Sequence, residues 1–203
     1  MSFGAEVLTD LPAEDLSLIA GKVRDGDILL CAAHDPFSRL IGWSTQSPWS
    51  HVAIAYRWPS MDRILVFEAV QRIGVHAVAL DRFISQTSDG QSPFPGDIIL
   101  ARHDKTPGRE ELKALADFMV DHMGDRYSVA EVLRIAARVV VGRLNRNMPQ
   151  SLKAKDEFIC SEYAAAAFDA IGVKIPWDGR GFIAPADFAL DPKVHPVGRF
   201  RTR

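Results

Sequence analysis

The chain has 203 residues, 47% of them hydrophobic and 25% charged, a balance that suits one soluble globular domain with a real core and excludes disorder. A formal charge of -2 gives no electrostatic reason to expect a general nucleic-acid binder. Two cysteines, Cys31 and Cys160, are too few for a disulfide framework, and neither stands at zinc-ligand spacing from a second cysteine or a close histidine, so neither a metal nor a cofactor is expected.

The opening stretch, MSFGAEVLTDLPAEDLSLIAGK, carries acidic residues early and lacks an unbroken apolar run, so it does not read as a signal peptide and cytoplasmic residence is the expectation. Within it, DLPAEDLSLIAGK predicts a short helix, with Pro12 near its start, Leu16, Ile19 and Ala20 on one face and Gly21 as its stop. GDILLCAA then predicts a strand, and DPFSRLIGW a short helix with Asp35 as cap and Pro36 at its first position. SHVAIAYRW, RILVFEAV and IGVHAVAL predict an antiparallel meander broken by PSMD and by a turn near QRIG, and PFPGDIIL adds a further strand. GDILL and GDIIL are alike, yet nothing around them repeats.

From residue 107 onward the pattern turns helical. Leu112, Leu115, Ala116, Met119 and Val120 fall on one helix face, with Gly124 as the stop. SVAEVLRIAARVVVGRLNRN, residues 128–147, is interrupted by Glu131, Arg134, Arg138, Arg143 and Arg146, which are costly in a bilayer centre. It predicts an amphipathic helix that packs on the core or makes weak membrane-surface contact. A helix through Cys160 ending at Gly172 follows, and the Pro- and Gly-rich tail, KIPWDGRGFIAPADFALDPKVHPVGRF, predicts an ordered loop with one short final strand. The layout is α+β, a mostly antiparallel sheet with its helices segregated from it, in a single domain over residues 1–203.

Cys160 is the first residue of chemical interest. A helix starting near Asp156 or Glu157 puts its thiol in the first turn, where unpaired N–H groups favour a thiolate. Ala164, Ala167 and Ile171 share its face, so packing under the helix accounts equally well for a small residue there. Both readings stand on this segment.

A nucleophilic thiol needs a base, and His51 begins a strand on which it shares a face with Ala53 and Ala55. If PSMD closes a hairpin that pairs Arg57 with Ile64, residue 53 faces Glu68, and Glu68 falls diagonally beside His51 as a third member that orients the ring. His76, on the next strand, is the rival for that role. His34 and His103 adjoin Asp in strand-end turns, His122 ends a helix and His195 lies in the tail, all weaker settings for a base.

GDILL, SPWSHVAIAY, VFEAVQRIGVHAVAL, GDRYS, FICSEYAAAAFDAIG and APADFALDP, in this order over residues 25 to 192, resemble the circularly permuted NlpC/P60 papain-like proteins of the YiiX/YebB-like group. The resemblance implies a permuted papain-like fold with a barrel-like antiparallel sheet packed against helices. It implies Cys160 as nucleophile, His51 as base and Glu68 as orienting acid, with His76 the alternative third member; Tyr163 is given packing first and lining of the substrate site second, and Trp49 stands at the substrate pocket where relatives carry a smaller or different aromatic residue. The implied enzyme is a bacterial-type cysteine hydrolase that cleaves a peptide or isopeptide amide through a thioacyl intermediate, on a small peptide or acyl substrate. A lipid acyltransferase or deacylase of the lecithin retinol acyltransferase type, favoured by the arginine-bearing helix, and a non-catalytic binding module are the alternatives.

Overall fold

A computed structural model describes residues 3–34, 36–71, 73–85, 96–105, 107–127, 157–177 and 183–202. The arginine-bearing segment 128–147 lies outside the described residues, as do the Asp35 cap and the centre of the WDGRGF stretch.

The strongest apolar run, in β2 (Asp27–Ala33), is buried along nearly its whole length and becomes the centre of a sheet. It pairs antiparallel on one side with β3 (His51–Trp58) and on the other with β6 (Gly96–His103). From β3 the meander continues through β4 (Arg63–Val70) to β5 (Gly74–Ala79). The hairpin pairs Arg57 with Ile64, with a short 3₁₀ turn at Pro59–Met61 and Asp62 in the left-handed region.

On the other side β6 pairs with β9 (Val194–Phe200), and β9 pairs in parallel with the two-residue β1 (Ala13–Glu14). The seven strands run in the order β1-β9-β6-β2-β3-β4-β5. The two end strands do not pair, so the sheet is open where a barrel-like closure was expected.

Alternation along the strands divides the core. Ile28, Leu30, Val52, Ile54, Phe67 and Ala69 pack on one side, beneath α5 (Arg109–Asp121), α6 (Cys160–Asp169) and α7 (Pro185–Leu190). Leu29, Cys31, Ala53, Ala55 and Val66 pack on the other, beneath α2 (Leu16–Ala20) and α4 (Leu80–Ser85). Burying each of the large aliphatic side chains stabilises the fold by about 1.5–3 kcal/mol before entropy is counted.

Three expectations need correction. The helix predicted over DLPAEDLSLIAGK forms only as α2, with β1 in its first half and a separate short α1 (Val7–Asp10) before it, because Ala13 and Glu14 take backbone partners from β9. The tail is more regular than a loop with a short strand. Pro185 sits at the start of α7, the Asp187 carboxylate accepts the Ala184 N–H at 2.7 Å, and β9 runs seven residues.

The Cys160 helix also begins later than Asp156 or Glu157, since Glu157 and Phe158 pair with Arg126 and Tyr127 as the two-stranded β7 (Arg126–Tyr127) and β8 (Glu157–Phe158). α3 (Pro36–Thr45) and α5 occupy their expected stretches. Among the described residues no helix is long and apolar enough to cross a membrane.

Candidate active site

Cys160 is the first helical residue of α6, and its helix packs against β3 and β4. Ala164 and Ala167 are fully buried on the same face, and their small side chains let the helix axis approach the sheet closely. Ile159 occupies the cap position and has no side-chain hydrogen bond to the first turn. The leading N–H groups of the helix therefore have no side-chain cap and face whatever lies beside Cys160. Ser161 ties the helix start to the chain before α7 through a 2.7 Å hydrogen bond to the Ile183 carbonyl.

His51 is the first residue of β3, directly across from Cys31. The preceding residue holds it there: Ser50 donates its N–H to the Cys31 carbonyl at 2.9 Å, and its hydroxyl accepts the Ala33 N–H at 3.1 Å. Alternation assigns His51 to the sheet face opposite α6, with Cys31 and Ala53, so His51 and Cys160 meet where both of their elements begin.

The β3–β4 register puts Glu68 beside His51, and the His51 Nε2 lies 2.6 Å from Glu68 Oε2. That nitrogen being taken, Nδ1 is the ring atom left for Cys160. Glu68 is 3% exposed, a carboxylate that needs partners to stay charged. Its second oxygen, Oε1, lies 3.1 Å from the Nε2 of His76, the residue directly across from it on β5. Glu68 thus stands between two imidazoles, and the rivalry between Glu68 and His76 dissolves into one chain of contacts.

The electrostatics follow from this placement. Burial works against a charged His51, but the charge and hydrogen bond of Cys160, with Glu68 behind the ring, raise it to about 10. Burial likewise disfavours the Glu68 carboxylate, yet the hydrogen bond from His51 and the close approach of His76 bring it down to about 2. Cys31 has the opposite fate. Burial first, then the negative charges of Glu68 and Cys160, push its thiol well above the usual range, which keeps it neutral.

Tyr127 is the residue that the sequence reading did not assign. It pairs with Phe158 in the β7–β8 ladder and packs against the cluster of Ile159, Ala184 and Ala186, whose first member adjoins Cys160. Burial, then the charges of Cys160 and Glu162, raise its hydroxyl far above the ordinary range, so it keeps its proton and is available to donate. Its one signal in the sequence was the GDRYS stretch, which carries no periodicity to mark it.

Tyr163 takes the packing role given first for it, and Trp49, expected at the substrate pocket, is packed away as well. Tyr163 is fully buried and donates its hydroxyl to the Met119 carbonyl at 3.2 Å. Trp49 is 1% exposed, edge-on to Phe3, and its indole N–H has no hydrogen-bond partner among the described residues. The other histidines are engaged elsewhere or exposed. His103 accepts the Lys105 N–H at 3.0 Å, His122 contacts the Phe118 carbonyl at 2.8 Å, His195 pairs with Asp104 at 2.8 Å, and His34 is exposed.

No family model matches the chain, and no curated protein matches it. Among solved structures, the crystal structure of metalloprotein yiiX from Escherichia coli O157:H7 aligns with a TM-score of 0.60 at 17% identity, covering 86% of this chain and 96% of that one. The chain therefore has a YiiX-like α+β fold, an open seven-stranded sheet packed against helices.

Proposed function

We propose that this protein is a cysteine hydrolase of the permuted NlpC/P60 papain-like type, with Cys160 as nucleophile, His51 as its proton partner and Glu68 as the acid that orients His51. The observation that carries the reading is the contact chain from Cys160 through His51 to Glu68, in which a buried imidazole is raised to about 10 by Cys160 in front and the carboxylate behind. Among the two cysteines only Cys160 has this partner, whereas Cys31 is held as a neutral thiol.

The chemistry follows from the atoms in place. The Cys160 Sγ, as thiolate against the His51 imidazolium, attacks the carbonyl carbon of an amide. The oxyanion that forms is met by the uncapped N–H groups at the start of α6 and by the Tyr127 hydroxyl, which is held protonated. His51 passes its proton to the leaving amine, the C–N bond breaks, and a thioacyl-enzyme remains. Water attacks that carbonyl while His51 takes its proton, and Cys160 leaves as thiolate. The amide specificity, peptide or isopeptide, is part of the proposal.

The fold neighbour is named a metalloprotein. Among the described residues no group of three or more His, Cys, Asp or Glu side chains is placed to hold a metal ion, and the nearest donors, His51, Glu68 and His76, are turned on one another.

The test is the rate of Cys160 alkylation by iodoacetamide, located by mass spectrometry, in the native protein and in His51→Ala. At pH 6.5 an unassisted thiol of pKa about 8.5 is about 1% thiolate, so loss of His51 lowers the rate by about two orders of magnitude. A rate indifferent to His51 would return Cys160 to the core as a packing residue.

A further inference from the structure

Three adjacent strands deliver three polar side chains to one sheet face: His51 from β3, Glu68 from β4 and His76 from β5. Glu68 is the middle member, and its two oxygens are divided, Oε2 to His51 at 2.6 Å and Oε1 to His76 at 3.1 Å. The His76 Nε2 is sealed from solvent and has no aligned hydrogen-bond partner among the described residues, so Glu68 Oε1 is what it faces.

We infer that His76 is a positioning residue for the proposed reaction, holding Oε1 of Glu68 so that Oε2 stays aimed at His51 Nε2. This rests on the cysteine-hydrolase reading for its catalytic meaning, but the positioning itself is a property of the three side chains.

The physical need is clear from burial. A carboxylate that is 3% exposed cannot turn to water for its second oxygen, and an oxygen left without a donor costs about 1–3 kcal/mol or more. Glu68 would answer by rotating about its terminal torsion or by sharing both oxygens with His51, and either motion spoils the alignment that fixes the His51 ring. His76 prevents this with one N–H, because its Nε2 can carry a proton whether the ring is neutral or charged. The groups facing His51 are Glu68 from β4, Cys160 from α6 and, across β2, Cys31, while His76 faces Glu68. His76 therefore acts on His51 only through Glu68, in the way that outer partners of a ligating histidine fix its ring.

Two substitutions of similar bulk separate positioning from mere space filling. His76→Gln keeps an N–H donor for Oε1, and His76→Met removes it. The readouts are the NMR titration of the His51 ring and the rate of Cys160 alkylation by iodoacetamide at pH 6.5, each on protein shown by circular dichroism to be folded. In His76→Met the His51 titration moves to lower pH and alkylation slows about tenfold, the lower end of what loss of such outer partners costs, and His76→Gln restores both toward the native values. If the Met and Gln variants behave alike, whether both native or both impaired, the positioning role is overturned. Failure of the hydrolase reading is seen separately: His51→Ala then leaves alkylation unchanged, while the His51 ring titration still decides whether His76 positions Glu68.

Discussion

The Nε2 of His51 and the Oε2 of Glu68 lie 2.6 Å apart, with the carboxylate buried and the imidazole ring only partly exposed. Such a pair fixes both the tautomer and the direction of the ring, because a carboxylate can only accept there and Nε2 must carry the proton.

Replacing Glu68 with Gln tests this directly. The amide keeps the shape but can present an N–H to Nε2, which favours the ring tautomer with its proton on Nδ1 and blunts its partnership with Cys160. Cys160 alkylation is expected to fall by at least about tenfold, given the larger losses seen when a triad carboxylate is made an amide. The same variant has a defined stability signature. Glu68, held at about 2 against an ordinary 4.5, stabilises the fold above pH 4.5, and this is lost as pH falls through about 2. His51, raised to about 10 against 6.5, stabilises fully below pH 6.5, and this is lost as pH rises through about 10. The Tm difference between the native chain and Glu68→Gln should peak between pH 4.5 and 6.5 and shrink on either side. A difference that is flat with pH would show that the pair is not charged in the folded protein.

Tyr127→Phe separates proton donation from thiol activation. Loss of one oxyanion donor costs about 10²–10³ in turnover. Turnover of p-nitrophenyl acetate should fall accordingly, while iodoacetamide alkylation of Cys160, which builds no oxyanion, stays within about twofold. Unchanged ester turnover would remove Tyr127 from the proposed mechanism.

Gly74 opens β5 at φ 85°, and a Cβ built there would lie 2.1 Å from the Asp125 carbonyl oxygen. That same carbonyl accepts the Val75 N–H at 2.9 Å, and Val75 in turn accepts the Gly124 N–H at 2.9 Å. Gly74→Ala must therefore both strain the backbone and push away the segment leading to Tyr127, at a cost of about 2–4 kcal/mol. Urea denaturation measures it, and an unchanged midpoint would mean the segment moves aside freely.

The meander was legible because strand alternation and a short turn are local properties. Once Arg57 pairs with Ile64, the two-residue period of the strand leaves only one face for Glu68. The face of α6 was legible for a similar reason, since Ala164, Ala167 and Ile171 recur at helical spacing. The start of α6 was not. Glu157 and Phe158 are drawn into a ladder with Arg126 and Tyr127, a partner distant in sequence that no local pattern announces.

By itself, then, the sequence determined the strands β2 to β6, the antiparallel pairing from β3 to β5, and the candidates Cys160, His51, Glu68 and His76, because those depend on period and turn chemistry within short stretches. Tertiary structure alone decided that His51 meets Cys160 rather than its direct cross-strand neighbour Cys31, that Glu68 serves two imidazoles at once and that Tyr163 and Trp49 are buried. Contacts between distant segments are set by which surfaces can be buried together, and that selection is made only when the whole sheet and its helices pack.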